Sequence, residues 1–167
     1  MSASTSSKDL QREICPKSMG EVDLMTLLKN FYDFQEERVF TYRLFDEGHK
    51  IYLGTAPHYD FIRFRHLVHE VTQEFKRISE GIIAIEHRLR TEFDCPHLAD
   101  FLANLQEDEK LKLELTAKLQ LAKQNIIDHP DEPEQQLEII DLKQRLRQVI
   151  ERINEHLEEL RYEMEEL

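Results

Sequence analysis

The chain has 167 residues, with 34 acidic and 22 basic side chains and a formal net charge of −12 at pH 7. A chain of this length can bury one hydrophobic core, and its 40% hydrophobic content is too high for a wholly disordered protein. Four glycines and five prolines are too few for the turns of an all-β sandwich. The excess of acids argues against a broad phosphate-binding surface.

The first predicted helix covers about residues 19–48. Ser18 and Glu21 have the three-residue spacing of a capping box at its start, and Gly48 is a typical stop. Residues 49–59 contain a glycine and a proline and are predicted to connect this helix to the next. Apolar residues recur through the helix at helical spacing: Leu24, Leu27, Leu28, Phe31, Phe34, Tyr42 and Phe45.

The second predicted helix covers residues 60–90 and has the most regular apolar pattern. Asp60 is placed to cap it, and Gly81 is its one residue of poor helix propensity. Its apolar seam follows alternating steps of three and four residues: Phe61, Phe64, Val68, Val71, Phe75, Ile78, Ile82, Ile85 and Leu89.

The third and fourth predicted helices cover residues 96–127 and 133–167. Pro96 and Pro133 each suit the first turn of a helix, and an acidic turn separates the two segments. The four helices and their short connections predict an all-α fold with antiparallel neighbours. Either the helices form an up-down-up-down bundle, or the last two project from a compact aromatic head as a coiled-coil hairpin.

The predicted organisation is a flexible polar tail over residues 1–17, followed by one helical domain over residues 18–167. The tail lacks the apolar stretch of a secretory signal, and no apolar run approaches the roughly 18 residues of a membrane span. Cys15 and Cys95 do not resemble a disulfide framework. We therefore expect an intracellular protein of the nucleus or cytoplasm, with no membrane association.

Two charged residues, Asp108 and Lys112, interrupt the seam of the third helix. They are four residues apart and opposite in sign, so they could form a polar pair that fixes the register between helices. Folding back at the acidic turn would bring Asp108 near Asn154. In the alternative interpretation the seam shifts to Leu111 and Leu113, and the charged residues stay in water.

The aromatic residues concentrate in the first half of the chain, where we expect most of them to build the core. Tyr52, His58 and Tyr59 are the candidates for partner binding because they lie in a connection rather than on a seam. Catalytic and metal-binding motifs are not found. His66 and His69 share a helix face but lack further ligands at fixed spacing. We predict no enzymatic activity, no metal and no cofactor.

Several short segments, taken in order, resemble the "required for excision" B-domain family. They include F-Q-E-E-R-V at 34–39, F-D-E-G-H-K at 45–50, P-H-Y-D-F at 57–61, L-V-H-E-V-T at 67–72, K-L-E-L-T-A at 112–117, L-Q-L-A-K-Q at 119–124, D-H-P at 128–130 and L-E-E-L-R-Y-E at 157–163. The resemblance implies a small helical protein associated with excision repair of damaged DNA. It supplies no catalytic or DNA-contacting residue to carry over.

The leading hypothesis is a non-enzymatic helical module that binds a protein partner in DNA repair. The main alternative is a structural coiled-coil subunit of an assembly unrelated to repair, and a homo-oligomer fits either role. A third hypothesis is weak direct nucleic-acid binding through residues 61–90, although their basic side chains are interspersed with Glu. That stripe would use Arg63, Arg65, Lys76, Arg77, Arg88 and Arg90.

Overall fold

A computed structural model describes the backbone of residues 21–167 and the side chains from residue 24 onward. The tail over residues 1–17 and the capping box at Ser18 lie outside the described residues. Four helices follow one another: α1 (Glu21–Leu53), α2 (Phe61–Thr91), α3 (Pro96–Asp128) and α4 (Glu134–Glu165). The prediction of an all-α fold of four long antiparallel helices is confirmed.

Extensive interfaces join the helices that are neighbours in sequence, namely α1 with α2, α2 with α3 and α3 with α4. Each pair is antiparallel, because connections of this length return the chain alongside the helix it has just left. The result is an up-down-up-down order in which α1 and α4 lie at the two ends of the series. Within the described residues, α1 and α4 share no comparably extensive interface.

The main core contains buried residues from all four helices, including Phe31 of α1, Ile78 of α2, Leu105 of α3 and Leu160 of α4. Phe31 and Ile78 belong to the seams predicted from sequence spacing, because positions three and four apart share one helix face. A smaller aromatic core lies along α1 and α2 and also contacts Leu113 of α3. It consists of Phe45, Val71 and Phe75, with Tyr42, Phe64, Leu67, Val68 and Leu113 packed against them.

Gly48 does not end the first helix, because α1 continues to Leu53. A Cβ atom at Gly48 would run into the Leu67 side chain of α2, and one at Gly81 would run into the Phe34 ring of α1. Both glycines therefore give room for a side chain of the opposing helix, and the α1–α2 interface needs them for close approach.

The start of α2 agrees with prediction in its cap but not in its seam. The side chain of Asp60 accepts a hydrogen bond of 3.3 Å from the backbone N–H of Arg63, as expected of an N-cap. Phe61, by contrast, is 59% exposed, and the buried residues of α2 begin only at Val71. The seam prediction was wrong for Phe61, whereas Phe64 in the same first turn stacks on Tyr52 of α1, with ring centres 4.3 Å apart.

The short connection between α2 and α3 is tightly held. Asp94 has a positive φ of 51°, a conformation that Asp tolerates better than most residues. Pro96 occupies the first turn of α3, as predicted. Cys95, directly before it, is completely buried. The other cysteine, Cys15, lies outside the described residues.

Candidate partner-binding groove and buried polar cluster

A groove separates α1 from α4, and α3 forms its floor. It encloses a cavity of about 380 Å³. One end is closed where Tyr32 of α1 donates a hydrogen bond of 2.7 Å to the backbone carbonyl of Leu157 in α4. The guanidinium of Arg161 lies 5.4 Å from the centre of the Tyr32 ring. The first and last helices thus touch through long side chains, which leaves the space beside those contacts open.

An apolar stripe runs along α1 beside this groove. Phe40, Leu44 and Ile51, which are 58%, 41% and 56% exposed, share one face of α1, and Val39, 48% exposed, adjoins Phe40 on the groove side. Phe40 and Leu44 are one helical turn apart, and Ile51 follows two turns later on the same side. Single exposed apolar residues are ordinary, but an aligned set on one helix is typical of a surface that binds another molecule.

A buried polar cluster lies beneath the groove and centres on Arg38, which is 4% exposed. Its guanidinium donates to the side-chain oxygens of Gln35 at 2.6 Å, Gln106 at 2.7 Å and Ser79 at 3.3 Å. Its Nε lies 3.7 Å from Oε2 of Glu109. Burial lowers the pKa of Arg38, and the charge of Glu109 offsets part of that effect. One arginine therefore connects α1 to both α2 and α3.

Sequence reasoning missed this cluster, although a signal was present. Gln35 and Arg38 continue the alternating steps of three and four residues that pass through Phe31, Tyr42 and Phe45. Polar residues at seam positions of a long helix are candidates for buried networks. The interrupted seam of α3 indicated Asp108 and Lys112 but not Glu109, whose carboxylate is the buried one.

Asp108 and Lys112 do not form a pair with each other. Oδ1 of Asp108 accepts from Arg152 of α4 at 2.8 and 3.0 Å, and Oδ2 lies 3.7 Å from the imidazole of His156. The predicted fold-back was thus correct to within two residues, but Asn154 is not the partner. Lys112 turns the other way, with its ammonium 4.0 Å from the centre of the Tyr42 ring. Burial lowers the pKa of Lys112.

The three candidates for partner binding lie close together but in different environments. Tyr52 is 6% exposed and stacks between Tyr59 and Phe64, with ring centres 4.8 and 4.3 Å away. The hydroxyl of Tyr59 donates to Asp128 at 2.6 Å, a bond that raises the pKa of Tyr59 to about 12. His58 is exposed. Tyr52 and Tyr59 thus connect the helix ends, and only His58 is fully available to a partner.

A small apolar pocket of about 150 Å³ lies next to these tyrosines. Tyr52, Ile51 and Leu67 contribute apolar walls, while Asp60 and Arg63 bring opposite charges to its edge. Because Ile51 also belongs to the α1 stripe, the pocket and the groove are joined along one helix. The prediction of a partner surface at Tyr52, His58 and Tyr59 stays untested.

Buried His49 joins α1 to α3 in the same half of the bundle. It is 3% exposed and lies 5.6 Å from the ring centre of Phe64. Burial lowers the pKa of His49 and the nearby charge of Lys123 lowers it further, while Asp46 and a backbone hydrogen bond at Gln120 act in the opposite direction. The uncharged imidazole therefore suits this environment.

Three arginines of α2 form ion pairs with acidic side chains. Arg77 pairs with Glu37 and Glu74 at 3.2 and 2.9 Å. Arg88 pairs with Glu92 at 2.9 Å. Arg90 pairs with Glu86 and Asp100, likewise at close range. Half of the predicted stripe is thus neutralised locally, which weakens it as a phosphate-binding surface.

Within residues 21–167, His, Cys, Asp and Glu nowhere gather in a group of three suited to a metal ion. None of the four described helices is long and apolar enough to cross a bilayer. The order of the helices and the groove between α1 and α4 define the class of protein. It is a helical bundle with an open face between its first and last helices.

Comparison with known proteins places the chain in a family. The family model described as DNA repair REX1-B matches residues 26–123. A "Required for excision 1-B domain-containing protein" from Bos taurus is 34% identical over 147 residues, 87% of this chain and 79% of the bovine protein. The Mus musculus protein of the same name is 35% identical over 146 residues, 87% of this chain and 83% of its own length. The chain belongs to the DNA repair REX1-B family. No solved structure matches it.

Segments that carry the resemblance also supply contacts between helices. The segment 34–39 contains Gln35 and Arg38 of the polar cluster, and the segments 57–61 and 128–130 contribute the hydroxyl and carboxylate of the Tyr59–Asp128 bond. These segments therefore have a structural role in this chain, whatever further role they have.

Proposed function

We propose that this chain is a non-enzymatic interaction module that serves DNA repair by binding a protein partner. The family supplies the association with repair, and the observation that carries the binding role is the α1 stripe. Val39, Phe40, Leu44 and Ile51 keep between 41% and 58% of their surface in water. A long helix that leaves an aligned apolar face uncovered gains free energy when a partner covers it.

Charge supports a protein partner over a nucleic acid. The chain carries a net charge of −12, and the three paired arginines of α2 would have to give up their acids to bind phosphate. Phe61 is the one observation that favours the nucleic-acid alternative, since it is 59% exposed near Arg63 and Arg65.

Affinity capture of the full-length protein from cells with damaged DNA tests the proposal. We expect DNA-repair factors to be recovered by the wild type and lost with Leu44→Ser combined with Ile51→Ser. The matched control is Ile83→Ser, since Ile83 is 55% exposed on α2. Recovery of cytoskeletal or scaffold proteins alone would instead favour a structural subunit unrelated to repair.

Titration with labelled intact and damaged DNA duplexes separates the nucleic-acid alternative. Salt-sensitive binding that is lost with Arg63→Glu would favour it, because phosphate contacts weaken as salt rises.

Light scattering measures whether the chain is a monomer or a homo-oligomer. The proposed nuclear or cytoplasmic location is tested by microscopy of the tagged protein.

A further inference from the structure

The groove between α1 and α4 has a mixed lining that narrows the choice of occupant. Its apolar walls include Val39 and Phe40 of α1 and Ile150 of α4. Arg43 and Lys112 add positive charge to the same lining. An occupant that covers the walls must therefore also meet cations.

Those cations are available for new contacts. Neither Arg43 nor Lys112 has a carboxylate within 4.0 Å among the described residues; Arg43 is exposed, and the Lys112 ammonium lies over the Tyr42 ring. Arg161, also in the lining, rests on the Tyr32 ring rather than on an acid. In a chain of net charge −12, unpaired cations gathered around one groove are a local exception.

The acids of the lining do not cancel these charges. Glu109 lies beside Arg38 at 3.7 Å and is 6% exposed, so its charge is already balanced. Glu36 is the remaining acid of the lining, against the three cations Arg43, Lys112 and Arg161. Complementarity therefore favours an occupant that carries carboxylates.

The shape of the groove favours a helix. The walls are α1 and α4, whose backbone groups are already bonded within each helix, so an extended strand would find no backbone partners there. A bound helix needs no such partners, because its backbone groups are bonded within the helix itself. The lining extends along α1 from Tyr32 to Arg43, about 16 Å at 1.5 Å per residue, which corresponds to three turns of a bound helix.

We propose that this groove binds one amphipathic helix of a partner protein, with apolar residues at i, i+4 and i+7 flanked by Asp or Glu. This inference rests on the proposed function and specifies the partner's chemistry. The apolar side chains pack between Phe40 and Ile150, and the carboxylates pair with Arg43, Lys112 and Arg161. The bound segment becomes a fifth helix that closes the open side of the bundle.

Site-specific photo-crosslinking in cells identifies the occupant. p-Benzoylphenylalanine replaces Phe40 in the full-length protein, and Ile83 in a control, and the crosslinked peptide is identified by mass spectrometry. We expect position 40, and not position 83, to capture a partner segment with the stated helical pattern of apolar and acidic residues. Capture of a second copy of this chain, of a basic or extended segment, or of nothing at position 40 would overturn the proposal.

A synthetic peptide of the captured segment then tests the chemistry by fluorescence anisotropy. Phe40→Ser and Arg43→Glu should each weaken binding roughly tenfold or more, and binding should weaken as salt rises. Arg65→Glu, the same charge change on an exposed arginine of α2, should leave affinity unchanged. Circular dichroism confirms that the variants are folded. Equal affinity of the wild type and Arg43→Glu for the peptide would refute the proposal that the groove binds it.

The two proposals fail in different ways. If Phe40→Ser and Arg43→Glu still capture the same repair factors as the wild type, the groove proposal is wrong and the interaction module stands. If the wild type captures no repair factor but the groove still binds an acidic helix, the repair role is wrong and the groove stands.

Discussion

Replacing Arg38 with Met should destabilise the bundle strongly, because it leaves Glu109 charged and buried. The two charges are 3.7 Å apart, and both side chains are nearly inaccessible, at 5% and 6% exposure. At an effective dielectric constant of about 20, such a pair attracts by about 4.5 kcal/mol. Removing one member of a buried pair typically costs about 3–5 kcal/mol. We expect Arg38→Met to lower the free energy of unfolding by that amount.

The reasoning makes a sharper prediction for the second substitution. In the Arg38→Met background, Glu109→Met should raise stability by about 2 kcal/mol or more, because it removes the unpaired charge. In the wild-type background the same change should lower stability, because it leaves the arginine unpaired. Part of the wild-type stability is not recovered, since Gln35 and Gln106 lose a donor that binds them at 2.6 and 2.7 Å.

Urea unfolding followed by circular dichroism measures all four proteins of this cycle. Arg43→Met is the matched control, since Arg43 is an exposed arginine on the same helix, and its effect should stay within about 0.5 kcal/mol. The charge argument is refuted if Glu109→Met fails to recover stability in the Arg38→Met background. It is also refuted if Arg38→Met costs no more than Arg43→Met.

Three further changes test other contacts. Gly81→Ala gains about 1 kcal/mol of helix propensity but places a methyl group against the Phe34 ring, so we expect a net loss of thermal stability; a higher Tm would contradict the close approach. Asp108→Ala removes the ion pair to α4, one partner of which is exposed, and should cost about 1 kcal/mol or less by urea unfolding; a loss of several kcal/mol would contradict this. Burial lowers the pKa of His49, so the unfolded chain binds more protons than the folded one below about pH 6.5 and stability falls on acidification. His49→Gln should flatten the stability profile between about pH 7 and 5, whereas exposed His58→Gln should not; equal profiles would refute it.

The helices could be predicted from sequence because their causes are local. Residues such as Ile78, Ile82, Ile85 and Leu89 repeat at the spacing of one helix face, and all four are buried. Asp60 caps α2 and Pro96 occupies the first turn of α3, as the chemistry of each residue favours. The prediction that Gly48 ends the first helix was wrong, because the role of this glycine depends on a contact with another helix. A glycine near a helix end resembles a stop, and only the position of Leu67 on the neighbouring helix gives it another use.

The candidate site could not be predicted in the same way, because it depends on which helix faces meet. Sequence spacing identified Asp108 and Lys112 as charged exceptions in an apolar seam. It predicted Asn154 as the neighbour of Asp108, two residues from the observed partners Arg152 and His156. It could not decide that Asp108 contacts α4 while Lys112 contacts Tyr42 of α1. That choice depends on the rotation of α3 about its own axis, which all of its neighbours fix together.

The sequence by itself determined four amphipathic helices and an acidic surface, because helical periodicity and charge are properties of each segment. Only the tertiary structure decided that α1 and α4 stay apart and that Val39 and Phe40 line the space between them. It also decided that Arg38 is buried at the base of that space. The physical reason is that a groove is a property of two surfaces, and its existence depends on how the helices between them pack.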